Sequence, residues 1–189
     1  MPIPAEKRRS CAEDALKCYG TAYIFENRAR KIRRLIKLTT WFGIVTPATL
    51  GGTIALMGTR SSHAEWAILI AGLVGIAQVG LSIWSLVSGW DRDLPYYIES
   101  KFDNYKLSDE FASLGNTTLL SEEEFDVKNQ LLNARADARL SGDSRYDITD
   151  TEKRMGYCAG HWKFQRPCSK CGKVPSAPVT SECPTCGKF

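Results

Sequence analysis

Two long stretches without a charge constrain this 189-residue chain more than anything else in it. No residue from Leu38 to Thr59 is charged, and none from Trp66 to Trp90. About 20 apolar residues cross a hydrocarbon core about 30 Å thick, so each stretch has the length of one span. Between them, Arg60, His63 and Glu65 read as a polar hairpin turn. Helices buried in a soluble bundle usually carry a polar stripe. Here the clearly polar intramembrane side chains are hydroxyls and Gln78. A charged segment precedes the first stretch, which is not the layout of a secretory signal peptide.

The mean hydropathy of −0.24 conceals this, because the charges lie in blocks. Residues 1–37 carry a net +6, residues 38–90 zero, residues 91–150 a net −7 and residues 151–189 a net +5. Arg28, Arg30, Lys31, Arg33, Arg34 and Lys37 stand just before the first stretch with no acid among them. Basic residues close to a span stay on the cytoplasmic side, so both termini are expected there. Trp41 and Trp90 then fall at the inner interface and Trp66 at the outer one, where aromatic belts lie. The basic run also suits anionic lipid.

Inside the spans, Gly43, Pro47, Gly51 and Ala55 recur every four residues, as do Ala67, Ala71 and Gly75. Small residues at this spacing let helix backbones approach closely in lipid. Thr46, Thr49 and Thr53 form another face, and Gln78 lies near the middle of the second span. Polar groups at that depth face protein or water. Packing inside the hairpin, with the hydroxyls bonded to their own backbone, is one reading. Association of several hairpins, with Gly43, Thr46, Pro47, Thr49, Gly51, Thr53, Ala71, Gly75 and Gln78 as pore-lining or interhelix residues, is the other. Two helices enclose no channel, so conduction needs a homo-oligomer.

The flanks read as helical. Ala12, Ala15, Leu16, Tyr19, Ala22 and Tyr23 form an apolar stripe at helical spacing, in a long amphipathic helix that feeds the first span. Pro95 to Leu114 reads as a helix ended by Gly115-Asn116. Ser121 with Glu124 has the capping-box spacing, and the helix it starts stops at Ser141-Gly142-Asp143. These acidic helices are expected to face the basic N-terminal one.

The tail carries the sharpest chemistry. Cys168-Ser169-Lys170-Cys171-Gly172-Lys173 and Cys183-Pro184-Thr185-Cys186-Gly187-Lys188 are two copies of CxxCGK. Two such turns brought together give four thiolates around one ion, the ligand set of structural zinc. Disulfides are disfavoured on the cytosolic side, a redox CxxC needs a βαβ context, and an iron–sulfur cluster is the weaker metal alternative. Cys158 and His161 are spare candidates beside four ligands already in hand. The lysines and aromatics around the tail, such as Lys163 and Trp162, also admit nucleic acid. Docking within the assembly, opposite the acidic block, is preferred.

The fold class expected is mainly α. A membrane helical hairpin (38–90) lies between a long N-terminal amphipathic helix (1–37) and cytoplasmic helices (91–145), followed by a C-terminal segment with a four-Cys zinc ribbon (146–189). The spacing at Cys168, Cys171, Cys183 and Cys186 resembles that of the CxxC-x11-CxxC membrane proteins of bacterial mobile elements. The run Ile148-Thr149-Asp150-Thr151-Glu152-Lys153-Arg154 and then Phe164-Gln165-Arg166-Pro167 looks like theirs as well. The helix, two spans and helix are similar to the SLATT domain. The stretch Tyr157-Cys158-Ala159-Gly160-His161 departs from the more basic, Leu-containing pattern that the resemblance implies.

That resemblance implies an oligomeric, pore-forming effector of the bacterial inner membrane in nucleotide-signalled antiphage defence. Its partners would be the lipid bilayer and a nucleotide messenger or the enzyme that makes it. The residues themselves show no phosphate-cradling glycine loop and no Ser/His/Asp set, so no enzyme is expected. A membrane-anchored adaptor recruiting a protein or nucleic acid, and a holin-like or small transport protein, are the alternatives.

Overall fold

The computed structural model describes residues 3–57 and 62–189. Five helices follow one another: α1 (Ala5–Met57), α2 (Ser62–Val87), α3 (Trp90–Asn116), α4 (Glu122–Asp143) and α5 (Asp150–Lys163). No strand occurs among the described residues. The chain divides into two compact units. The first joins Met1–Arg28 to Tyr97–Phe189, and the second is Ala29–Tyr96.

The first unit has a helical core. The stripe read from the sequence supplies Ala15, and Cys11, which lies outside that stripe, joins it; both are fully buried with Leu107, Phe111 and Leu114 of α3 and Phe125 and Leu132 of α4. Farther along α1, Phe25 stacks on Tyr97, with ring centroids 5.6 Å apart, and both rings meet Tyr146. A polar knot sits among these apolar layers. Asp143, 2% exposed at the end of α4, accepts from Ser100 Oγ at 2.7 Å and Asn104 Nδ2 at 2.9 Å, and Arg139 donates to the same carboxylate. A buried carboxylate persists only where such partners satisfy it.

Basic and acidic groups pair as their block charges imply. Lys7 of α1 reaches Glu122 and Asp126 of α4, and Arg28 takes both carboxylate oxygens of Glu152 at 2.7 and 2.8 Å. Arg28 also donates to the Asp147 carbonyl oxygen. Its cation is therefore committed to α5, although its sequence position reads as part of a membrane-flanking run.

The α4 cap has both halves of the Ser121–Glu124 capping box. An equivalent box, Thr149 with Glu152, starts α5. That helix is absent from the sequence reading, yet its T-x-x-E signature stands in the chain. α5 packs on α1 at very short range. A Cβ added at Gly156 would meet the Gly20 carbonyl oxygen at 2.7 Å, and one at Gly160 would meet Leu16 at 2.9 Å. Glycine at these positions lets two helix backbones touch.

In the second unit, α2 contains a 20-residue stretch, Ile68–Val87, of mean hydropathy 1.9, with none of it buried. It is the one helix among the described residues that is long and apolar enough to cross a membrane. A core helix of that composition would be covered by protein. The other expected span lies in α1, which continues unbroken through Pro47. Of the expected hairpin tip, Thr59, Arg60 and Ser61 lie outside the described residues.

Candidate metal centre

Two tight turns bring four sulfurs together. In the first, the Gly172 N–H donates to the Cys168 carbonyl and the Cys168 N–H to Lys173, both at 2.9 Å; Gly172 sits at φ +70°, where a side chain would be strained. In the second, the Lys188 N–H donates to the Cys183 carbonyl at 3.1 Å. The Sγ atoms of Cys168, Cys171, Cys183 and Cys186 all lie within 4.8 Å of one another. The Cys171 and Cys186 sulfurs are 3.8 Å apart. A regular tetrahedron with zinc–sulfur bonds of about 2.3 Å has edges of about 3.8 Å. The donor set therefore fits a divalent, thiophilic ion such as zinc.

The backbone prepares two of these ligands for the thiolate form. N–H groups of Cys186 and Thr185 aim at the Cys183 sulfur and hold its pKa at about 6. At Cys168 burial pushes the pKa up, but the N–H groups of Cys171 and Lys170, together with the other sulfurs, outweigh it and leave the thiol below its ordinary value. Thiolate is the form that binds metal.

The module rests on α5. Cys158 is 1% exposed and packs with Cys168 and Cys186. Burial first, and then the nearby Cys168 and Cys183, raise its pKa, and its thiol points at the Ala177 carbonyl. Tyr157 exchanges hydrogen bonds with Ser169, and its ring lies 4.0 Å from that of His161. His161 Nδ1 is 3.0 Å from the Arg166 carbonyl. Cys158 and His161 thus support the cluster from outside the four sulfurs.

The membrane-helix candidates are placed as follows. Gly43 and Gln78 meet: a Cβ on Gly43 would lie 2.6 Å from Gln78 Nε2. Pro47 has no N–H to give the carbonyl four residues back, which is that of Gly43. Thr49 donates to the Val45 carbonyl at 2.9 Å, the local bond expected of a hydroxyl in an apolar helix. Thr46, Ala71 and Gly75 are half-buried, while Pro47, Thr49 and Gly51 are exposed. Gly51 and Gly75 have nothing within 4 Å of an added Cβ. The Thr53 side chain lies outside the described residues.

A family model described as Mobilome CxxCx(11)CxxC protein matches residues 8–189, a range that begins in the first turn of α1 and takes in α2 to α5 and the four cysteines. No curated protein and no solved structure matches the chain.

Proposed function

The chain belongs to the Mobilome CxxCx(11)CxxC protein family, and on that premise we propose that it is an oligomeric membrane effector with a structural zinc module, acting in nucleotide-signalled antiphage defence of a bacterium. The observation that carries the membrane part is α2: no residue of its apolar Ile68–Val87 stretch is buried by its own chain. In water such a surface drives aggregation; in lipid it is at home. Gly51 and Gly75 present open, side-chain-free patches on the two helices, where a neighbouring copy can approach closely. Several copies together would permeabilise the inner membrane. The basic residues before the first span orient both termini to the cytoplasm.

Zinc closes the four-sulfur cluster and leaves no open position for catalysis. Its role here is to hold residues 164–189 folded against α5, because so small a module buries little core of its own. A nucleotide messenger, or the enzyme that makes it, would act on the unit that includes this module.

Reconstitution tests the reading. Purified chain in vesicles of bacterial lipid is expected to release an entrapped dye once the messenger or its producing enzyme is present. In cells, induction with that partner is expected to collapse the membrane potential. Intact potential at full induction sinks the proposal. An adaptor role is the second reading, supported by the exposed Val174 and Val179 on the metal module. Capture of a specific partner by the full chain, lost when those two residues become Ser, would favour it.

A further inference from the structure

The four ligands of the cluster are unequally shielded. Cys168 and Cys186 are 2% and 5% exposed, Cys183 is half-buried, and Cys171 is exposed. Cys171 opens on a cleft of about 460 Å³ that it lines with Lys173, Val174, Ala177, Val179 and Cys183. Lys173 and Glu182, of opposite charge, both line this cleft, so it admits neutral reagents as readily as charged ones. An accessible thiolate is the form of cysteine that reacts. A metal lowers its nucleophilicity without removing it, so access decides which ligand reacts first.

We propose that Cys171 is a modification site for peroxides and other soft electrophiles, and that its reaction ejects the metal. The inference rests on the zinc reading above. With hydrogen peroxide the Cys171 sulfur attacks one oxygen, the O–O bond breaks, and hydroxide leaves and takes up a proton to become water. Cys171 is then a sulfenic acid. The Cys186 sulfur, 3.8 Å away, attacks it. A disulfide forms, and the hydroxyl leaves as a second water with a second proton. Two thiolates lose two electrons to one peroxide, and zinc departs because two of its four ligands are gone. Cys158 packs against Cys186, so the support of α5 changes in the same event.

The full chain, purified in detergent, tests this. Its zinc content is measured first, and it is then treated with a small excess of hydrogen peroxide or N-ethylmaleimide. Zinc release is followed with a chromogenic chelator, and each cysteine is mapped by peptide mass spectrometry. Cys171 is expected to be alkylated first, in step with zinc release, and peroxide is expected to link Cys171 to Cys186. Cys171→His keeps four zinc donors and is expected to slow peroxide-driven release about tenfold or more, since imidazole is not oxidised this way. First reaction at Cys183, Cys168 or Cys186, or equal release from the variant and its parent, overturns the proposal. A chain that carries no zinc before treatment overturns both the proposal and the metal reading beneath it.

Discussion

Gly20 and Gly156 touch backbone to backbone, so that a Cβ on either would come within 2.8 Å of the other's carbonyl oxygen. The two residues are 136 positions apart in sequence, and their meeting fixes α5 on α1. Backbone atoms cannot swing aside as a side chain can. Gly156→Val is therefore expected to cost about 2–3 kcal/mol through overpacking. For a chain of this size that lowers the melting temperature by about 4–12 °C. Gly51→Ala, in open space, is the control and should leave the melting temperature unchanged.

The Arg28–Glu152 pair gives a pH signature. Hydrogen bonding from Arg28, opposed by burial and aided by the Thr149 cap, holds the Glu152 carboxyl at about 2, below its ordinary 4.5. A carboxyl depressed in the folded state contributes stability above its unfolded pKa. That contribution is fully present above about pH 4.5 and is lost as pH falls toward 2. The pair is 17% and 21% exposed on its two sides, so solvent screens part of it. Arg28→Ala is expected to cost about 1–2 kcal/mol at pH 7. It should also flatten the stability profile between pH 4.5 and 2, as read from denaturant midpoints.

Asp143 organises the polar centre of the helical unit. Asp143→Ala strands the Ser100 hydroxyl proton and leaves Asn104 Nδ2 with only its bonds to Ser100, where water does not reach. A loss of about 2–4 kcal/mol in thermal or denaturant unfolding is expected.

Metal removal should act locally before it acts globally. A strong chelator is expected to abolish hydrogen-exchange protection at the Cys168, Gly172 and Lys188 amides, whose bonds belong to the two turns. The Phe125 and Leu132 region of α4 should keep its protection, because its partners lie in the helical core. Simultaneous loss in both regions would refute a separable module.

Gly43 and the open glycines are expected to behave differently. Gly43→Leu forces Gln78 out of its place and should lower stability in detergent. Gly51→Leu and Gly75→Leu fill space that this chain leaves vacant. They should shift oligomer size, measured by light scattering, while leaving the melting temperature nearly constant.

Short-range chemistry was the legible part of this chain. The four cysteines declare their cluster because the ligands come in pairs three positions apart, and Ser121 with Glu124, at the same spacing, declares the start of α4. The Thr149 cap is equally local, and with Glu152 it marks the start of α5. Long-range relationships were not legible. Arg28 reads as a topological charge until Glu152, 124 residues later, folds onto it. Nothing local marks Gly156 and Gly160 for contact; only the folded chain brings Gly20 and Leu16 against them as a surface that admits no side chain. Gln78 could be placed at depth, but the partner beside it, Gly43, comes from the packing of two helices.

The helical unit is assembled from both ends of the chain, Met1–Arg28 and Tyr97–Phe189, with the apolar helices made in between. Translation at about 5–20 residues per second thus leaves a gap of roughly 3–14 seconds between Arg28 and Tyr97. During that interval Cys11, Ala15 and Phe25 have no α3 or α4 to cover them. The newborn chain spends that interval with half a core exposed. Residues 97–189 complete that core only after the apolar segments have been made, so the order of synthesis leaves the core of the first unit to close last.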